Sequence, residues 1–304
     1  MDNNRIAQIA KLQAEFGTRD ESPNEIYHYT GIDIVPKILA EAGVVLRLTR
    51  AEKLLDQHEG RRTVEVYYDL ALERLLTKGD IDESVYEILA KIEVPQKILF
   101  LQDRKRGSKY TLCAKSKEYK AYTFCFSAKE NDQYMISNYI PAQEHKGYCL
   151  SFFGGEVREN TTTIGQFSGA RFRLEPVIYG GKIVDRLYYY LKSIVSIVGS
   201  SAEDMQAWLK PLVLDALSSL RYRVKLGRYS EENEIRFIVF LPKGKRIKVK
   251  ELSYGKRSDG EGHYIYLTIP KGAFCGLTPT ETVSEEEHNI IREAIVRNNY
   301  RILI

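Results

Sequence analysis

The sequence reads Tyr27-His28-Tyr29-Thr30-Gly31 at the start of the stretch that decides the fold. These aromatic and β-branched residues predict a short strand that ends in a turn at the glycine. Apolar side chains then recur at helical spacing as far as Leu39, Gly43 is expected to cap that helix, and residues 44–48 predict a second strand. A histidine where a strand ends is expected to lie at a sheet edge, a common position for a site. The alternative is that His28 and its neighbours fill an aromatic strand.

Length, charge and cysteine content bound the class of protein. The chain has 304 residues, 43% of them apolar, which is enough for one large domain or two ordinary ones. Its net charge of +4 excludes a global charge argument for nucleic-acid binding, so any basic surface must be local. Four cysteines without a C-x-x-C pair argue against a structural zinc site or a redox dithiol and fit a reducing cytosol. Because there is no apolar signal core and no run long enough to cross a membrane, we expect a cytoplasmic protein with no membrane partner.

The order of predicted elements indicates a single α+β domain over residues 25–304, preceded by an amphipathic helix and linker over residues 1–24. The domain is expected to contain a central, mostly antiparallel or mixed sheet, with helical insertions near residues 61–95 and 182–221. Strands are predicted at 122–127, 147–153, 172–179 with a break after Pro176, 231–241, 264–269 and 300–304. Helices are predicted at 63–78, 80–91, 182–198, 202–220 and from the capping box at Ser284 to Arg297, with a helix or loop at 131–139.

A pair of glutamates is the clearest candidate for chemistry. Glu232, Glu234 and Arg236 alternate along the sequence, so in an extended chain their side chains share one face. Two carboxylates on one face repel each other, which raises the pKa of one of them or favours binding of a cation or of polarised sugar hydroxyls. Arg236 would hold down the negative charge. The alternative is a salt-bridged strand entrance that faces solvent.

Two basic segments are candidates for binding phosphates. Residues 104–120 are basic and loop-like, and residues 243–257 form a basic connection that is partly strand. The alternative for both is a solvated charged hairpin. A cluster of Asp56, His58 and Glu59 lacks the second histidine of a zinc helix and is interpreted as a solvated turn. The sequence contains no phosphate-binding glycine loop and no G-x-S-x-G motif.

Several ordered blocks from residue 25 onward resemble a bacterial protein family of unknown function. The main blocks are Tyr27-His28-Tyr29-Thr30, Cys125-Phe126-Ser127 and Glu232-x-Glu234-x-Arg236. Their order also resembles the ADP-ribosyltransferase superfamily, in which an early strand supplies His, a later strand supplies Ser or Tyr, and a late strand supplies Glu. The closer likeness is to toxins that modify nucleic acid. The resemblance implies a split, strongly bent mixed sheet that binds NAD in a cleft, with helical insertions.

The resemblance also implies a role for each candidate residue. His28 would hydrogen-bond the ribose, Glu234 would stabilise the ribosyl cation, and Glu232 would choose or activate the acceptor. Tyr29 or Tyr139 would stack on the nicotinamide. The other candidate contacts to NAD are Thr30, Ser127 and two arginines suited to the pyrophosphate, Arg50 and Arg236. No metal site is expected.

Three functions remain open from the sequence. The first is an NAD-dependent ADP-ribosyltransferase that modifies RNA, DNA or protein, as a toxin of a toxin–antitoxin pair or an antiviral effector restrained by an inhibitory partner protein. The second is an NAD glycohydrolase, in which water is the acceptor at the same site. The third is a non-catalytic module that binds nucleic acid or a partner through the basic segments 104–120 and 243–257, with His28 and Glu234 as structural residues.

Overall fold

A computed structural model describes residues 3–18, 23–54, 60–106, 109–140, 146–168, 170–199, 205–243, 250–255 and 264–301. Its helices and curled antiparallel sheet confirm the mixed α+β class. The predicted cluster at Asp56, His58 and Glu59 lies outside the described residues. Other predictions fall partly outside them: the linker that ends at residue 24, the basic segments 104–120 and 243–257, the start of the helix at 202–220 and the end of the strand at 300–304. No helix in the described ranges is both long enough and apolar enough to cross a bilayer.

The regular elements are numbered here along the chain. The α-helices are α1 (Asn3–Thr18), α2 (Val35–Ile38), α3 (Ala51–Leu54), α4 (Arg61–Thr77), α5 (Glu83–Ala90), α6 (Gln133–Tyr139), α7 (Gly154–Ser168), α8 (Lys182–Val198), α9 (Lys210–Leu220) and α10 (Glu285–Arg297). A π-helical turn, Met205–Leu209, precedes α9, and 3₁₀ turns span Gly227–Glu232 and Lys271–Ala273. The strands are β1 (Glu25–Gly31), β2 (Leu39–Ala40), β3 (Gly43–Arg50), β4 (Ile98–Arg106), β5 (Lys109–Ser127), β6 (Gly147–Phe153), β7 (Arg171–Pro176), β8 (Ile178–Tyr179), β9 (Val224–Lys225), β10 (Glu234–Pro242), β11 (Leu252–Tyr254), β12 (Tyr264–Ile269) and β13 (Phe274–Pro279).

The chain divides into two compact units. The first unit comprises Met1–Asp20, Leu55–Lys120 and Val177–Tyr229, and the second comprises Glu21–Leu54, Ala121–Pro176 and Ser230–Ile304. The first unit is mainly helical, and its core is lined by apolar side chains at helical spacing, among them Leu187, Leu191 and Ile194 of α8. The single domain predicted for residues 25–304 stays a prediction, because a compact unit need not fold alone.

The second unit is built on a sheet with the strand order β11-β12-β3-β5-β1-β6-β13, in which β2 pairs with β3 and β10 pairs with β5 and β7. Its described registers are antiparallel. Alternate residues of each strand enter a common core, as Val44, Leu46 and Leu48 of β3 do beside Ile265 and Leu267 of β12. The intervening residues of β3 therefore lie on the other face of the sheet.

β5 has only a short described pairing with β1 and with β3. β1 and β6 pair along the whole of Glu25–Gly31, whereas the described register between β1 and β5 is the single pair Tyr27 and Ser127. β3 and β5 pair at Thr49–Thr123 and Arg50–Tyr122. Backbone groups of β5 beyond these pairs must find partners elsewhere, because buried carbonyls are almost always hydrogen-bonded.

Several predicted elements are confirmed at their predicted bounds. Residues 147–153, 182–198 and 264–269 are β6, α8 and β12. The capping box is present, since the Ser284 hydroxyl accepts from the Glu287 N–H while the Glu287 carboxylate accepts from the Ser284 N–H. The residue periodicity of the strands and of α8, and the capping box of α10, were therefore sufficient to predict these elements.

Other predictions were wrong. His28 does not lie at a sheet edge, because β1 is flanked by β5 and β6. Gly43 does not cap α2, which ends at Ile38; instead it opens β3 at φ 136°, where a Cβ would overlap the carbonyl of Ile269. Residues 104–106 and 109–120 of the predicted basic loop lie in the paired strands β4 and β5, whose polar and charged sequence conceals the strand pattern.

Candidate functional site

The second unit contains a cavity of about 680 Å³ beside the short pairing of β5 with β1 and β3. This volume lies within the range of small-molecule sites, roughly 300–1,000 Å³. The lining comes from β1, α2, β3, the end of β5, α6, the start of β10 and β12, together with residues next to these elements. Seven of the candidate residues line it: His28, Tyr29, Thr30, Ser127, Tyr139, Glu232 and Glu234. The cavity therefore brings together residues that are more than 200 positions apart in the sequence.

His28 bridges the gap between β1 and β5. Its Nδ1 lies 3.0 Å from the carbonyl oxygen of Cys125. Because a carbonyl only accepts hydrogen bonds, Nδ1 carries the proton and Nε2 is left as an acceptor. Burial lowers the pKa of His28 to about 4, so the ring is neutral at pH 7. The ring also packs 4.4 Å from that of Phe124, centroid to centroid, which fixes its orientation.

Glu234 and Arg236 form a buried, two-pronged ion pair at the start of β10. Arg236 Nε donates to Glu234 Oε1 at 2.6 Å and Nη2 donates to Oε2 at 3.1 Å. The two side chains are only 5% and 6% exposed. Positions two apart on a strand share a face, so this part of the predicted alternation is confirmed. Arg236 does not line the cavity; it holds the carboxylate that does.

Glu232 reaches the same cavity from a different backbone conformation. It ends the 3₁₀ turn Gly227–Glu232, and Asn233 follows with a left-handed φ of 42°. The prediction that residues 232–236 form one extended strand was therefore wrong, since β10 begins at Glu234. The left-handed residue, a conformation that asparagine tolerates better than most, turns the chain so that both glutamates border the cavity.

Hydrogen bonds from the end of β5 hold the turn at Glu232 and Asn233 in place. The Ser127 hydroxyl donates to the backbone carbonyl of Glu232 at 2.9 Å, and the N–H of Ala128 donates to the carbonyl of Asn233 at 2.9 Å. Ser127 Oγ also accepts from the N–H of Lys129. Ser127 is fully buried, and its proton is committed to Glu232. Ser127 therefore fixes the backbone that carries Glu232.

The two candidate aromatic residues occupy different environments. Tyr29 donates its hydroxyl to the carbonyl of Lys129 at 2.7 Å and accepts from the N–H of Asp132 at 2.9 Å. Burial raises the pKa of Tyr29 well above its usual value. Tyr139, at the end of α6, is 45% exposed. The more exposed ring of Tyr139 is the better placed of the two to be covered by a ligand.

The structure does not bring Arg50 to the cavity. Arg50 is ion-paired with Glu52, and the residues of β3 that line the cavity are Val45, Arg47 and Thr49. Arg47 was missed by sequence analysis, although a signal existed: with Leu46 and Leu48 in the core, residue 47 must face away from it. Lys37, on α2, is a second basic lining residue that was missed.

Comparison with known proteins finds no family model, no curated protein and no solved structure that matches the chain. The resemblance to ADP-ribosyltransferases therefore stays a prediction. Within the described ranges, no group of three or more His, Cys, Asp or Glu side chains is arranged to hold a metal ion. The cavity offers hydrogen-bonding and charged groups of this chain: a neutral histidine, two glutamates and two basic residues.

Proposed function

We propose that the protein is an NAD-dependent ADP-ribosyltransferase with its active site in this cavity. The observation that carries the proposal is the meeting of His28, the Ser127 strand end and both glutamates in one cavity. These groups come from three separate parts of the sequence, in the order that the superfamily resemblance implies. A split, bent sheet that receives NAD at the gap between β1 and β5 belongs to the same proposal.

The proposed reaction exchanges one bond at the anomeric carbon of the nicotinamide ribose. The bond to the nicotinamide nitrogen breaks and the electron pair leaves with nicotinamide, while an acceptor nucleophile bonds to the carbon and loses a proton. Positive charge develops on the ribose during this exchange, and a nearby carboxylate stabilises it. Glu234, oriented by Arg236, and Glu232 are the groups assigned to this role and to acceptor activation.

His28 is assigned a positioning contact with the ribose. Its Nε2 is an acceptor at neutral pH, because Nδ1–H is committed to the Cys125 carbonyl and the ring is not protonated. A ribose hydroxyl is a donor of matching chemistry. The nicotinamide ring is assigned to the exposed face of Tyr139.

The test is incubation with labelled NAD in the presence of protein, RNA and DNA acceptors. We expect label to move to one acceptor class with the wild type, and transfer to fall at least about a hundredfold in Glu234→Gln and Glu232→Gln. The matched control is Glu130→Gln, which removes an exposed carboxylate outside the cavity lining. Free ADP-ribose as the sole product would instead indicate NAD hydrolysis. If the folded wild type leaves NAD intact with every acceptor, the proposal is wrong.

A further inference from the structure

One side of the cavity carries positive charge on an ordered strand. Val45, Arg47 and Thr49 of β3 line the cavity, while Val44, Leu46 and Leu48 are fully buried in the core. Three anchored neighbours on the opposite face fix the path of β3. The backbone of Arg47 is therefore held in place, while its side chain is exposed on the cavity side.

The charges of this side are available to a ligand. Within the described part of the chain, Arg47 has no carboxylate partner; its guanidinium lies 5.9 Å from the ring centroid of Tyr264. Lys37 Nζ lies 3.7 Å from Asp33 Oδ2, but the two side chains are 69% and 72% exposed. Exposed pairs of this kind contribute about 0–1 kcal/mol, so a ligand anion can compete for the lysine.

An aromatic surface adjoins these charges. Tyr266 lies directly opposite Arg47 in the β3–β12 register and also lines the cavity. Its ring meets that of Tyr264 edge to face at 5.4 Å. Tyr264 in turn lies against the backbone at Gly255, where a Cβ would overlap the ring. Tyr264 therefore packs against the Gly255 backbone, while Tyr266 lines the cavity on the strand beside that of Arg47.

We propose that Arg47, Lys37 and Tyr266 form a subsite for a nucleoside diphosphate, with the cations on the phosphates and the tyrosine against the base. Guanidinium binds phosphate oxygens in two-pronged fashion, and nucleobases stack on aromatic rings. Glu232 and Glu234 repel phosphate from their part of the cavity, so the diphosphate belongs on the β3 side. The subsite deepens the proposed function and rests on it for the identity of the remainder of the ligand. In this proposal Arg47 and Lys37 replace Arg50 and Arg236 as the phosphate contacts.

The experiment is calorimetric titration with ADP, with adenosine as the probe that lacks phosphates. We expect Arg47→Gln to weaken ADP binding at least about tenfold, Arg47→Lys to weaken it less, and Lys37→Gln to weaken it about two- to fivefold. Adenosine binding should be the same in wild type and Arg47→Gln. Added salt should weaken ADP binding to the wild type more than to Arg47→Gln.

Two matched variants control for the loss of a positive charge. Arg50→Gln changes the same strand outside the cavity, and Lys91→Gln changes an exposed lysine of the first unit. Both should bind ADP within about twofold of the wild type, which is within the variation expected of surface substitutions. Loss of binding in Arg50→Gln but not in Arg47→Gln would overturn the subsite, as would a wild type that binds no ADP at millimolar concentration.

The outcome separates the subsite from the proposed function. ADP binding that depends on Arg47, in a protein that leaves NAD intact, would retain the subsite and reject the transferase. NAD cleavage with ADP binding unchanged in Arg47→Gln would retain the transferase and reject the subsite. Thermal unfolding of each variant shows whether the exposed substitutions leave the fold intact.

Discussion

Removing Arg236 should destabilise the protein more than neutralising Glu234. Arg236 donates two hydrogen bonds to Glu234. Its ladder neighbour Glu175 of β7 is paired with Arg173, whose Nη1 lies 3.6 Å from Glu175 Oε1. Arg236→Met leaves the buried Glu234 charge without this partner, and breaking such a pair costs about 3–5 kcal/mol. Glu234→Gln keeps a hydrogen-bond acceptor beside Arg236, and the loss should be nearer about 1–3 kcal/mol.

The double variant Glu234→Gln/Arg236→Met separates the pair from other effects of the two substitutions. If the pair interacts as its geometry indicates, the double variant should lose less free energy of unfolding than the two single variants lose in sum. The difference should be at least about 1 kcal/mol. Because a native domain is stable by only about 5–15 kcal/mol, these differences are large enough to shift a urea midpoint visibly.

The assay must report on the second unit. Trp208 is the sole tryptophan of the chain and lies in the first unit, so its fluorescence is the wrong probe. Amide hydrogen exchange of β6 and β10 at increasing urea concentration follows the sheet of the second unit. Strict additivity of the two substitutions, or a smaller loss in Arg236→Met than in Glu234→Gln, would refute the reasoning.

Three further predictions concern the frame of the site. His28 should titrate near pH 4 by NMR. Because its folded pKa lies below the unfolded value of about 6.5, the stability that is present above pH 6.5 should fall by up to about 3 kcal/mol as the pH falls toward 4. His28→Asn should lack this loss. Ser127→Ala should lower the free energy of unfolding by about 1–3 kcal/mol in urea titration, because the buried Glu232 carbonyl loses its donor; a loss below about 0.5 kcal/mol would contradict this. Asn233→Val should cost about 1–3 kcal/mol in the same assay while Asn233→Gly stays nearly neutral, and equal losses would show that the left-handed φ is unimportant.

Local pattern predicted the elements whose signals are complete within one segment. The helical periodicity over the 17 residues of α8 and the short apolar runs of β6 and β12 depend only on neighbouring residues. These elements were therefore predicted at their observed bounds. The capping box at Ser284 is equally local.

The candidate site was predicted less evenly because strand order is not a local property. The order β5-β1-β6 decides that His28 lies inside the sheet, and no pattern within residues 25–31 contains it. The left-handed Asn233 likewise depends on contacts from β5, which sequence alternation does not reveal. The choice of Arg47 over Arg50, by contrast, was available from the parity of the buried β3 residues.

The site is organised around the end of β5 rather than around the stretch that begins at Tyr27. The carbonyl of Cys125 fixes the tautomer and orientation of His28, and two residues later Ser127 fixes the carbonyl of Glu232. One short segment therefore sets the position of the histidine and of both glutamates at once. A shift at the end of β5 must move these groups together, so Ser127→Ala should change the NMR shifts of the His28 ring although the two side chains have no hydrogen bond with each other among the described contacts. An unperturbed His28 in that variant would mean that the two halves of the cavity are held independently.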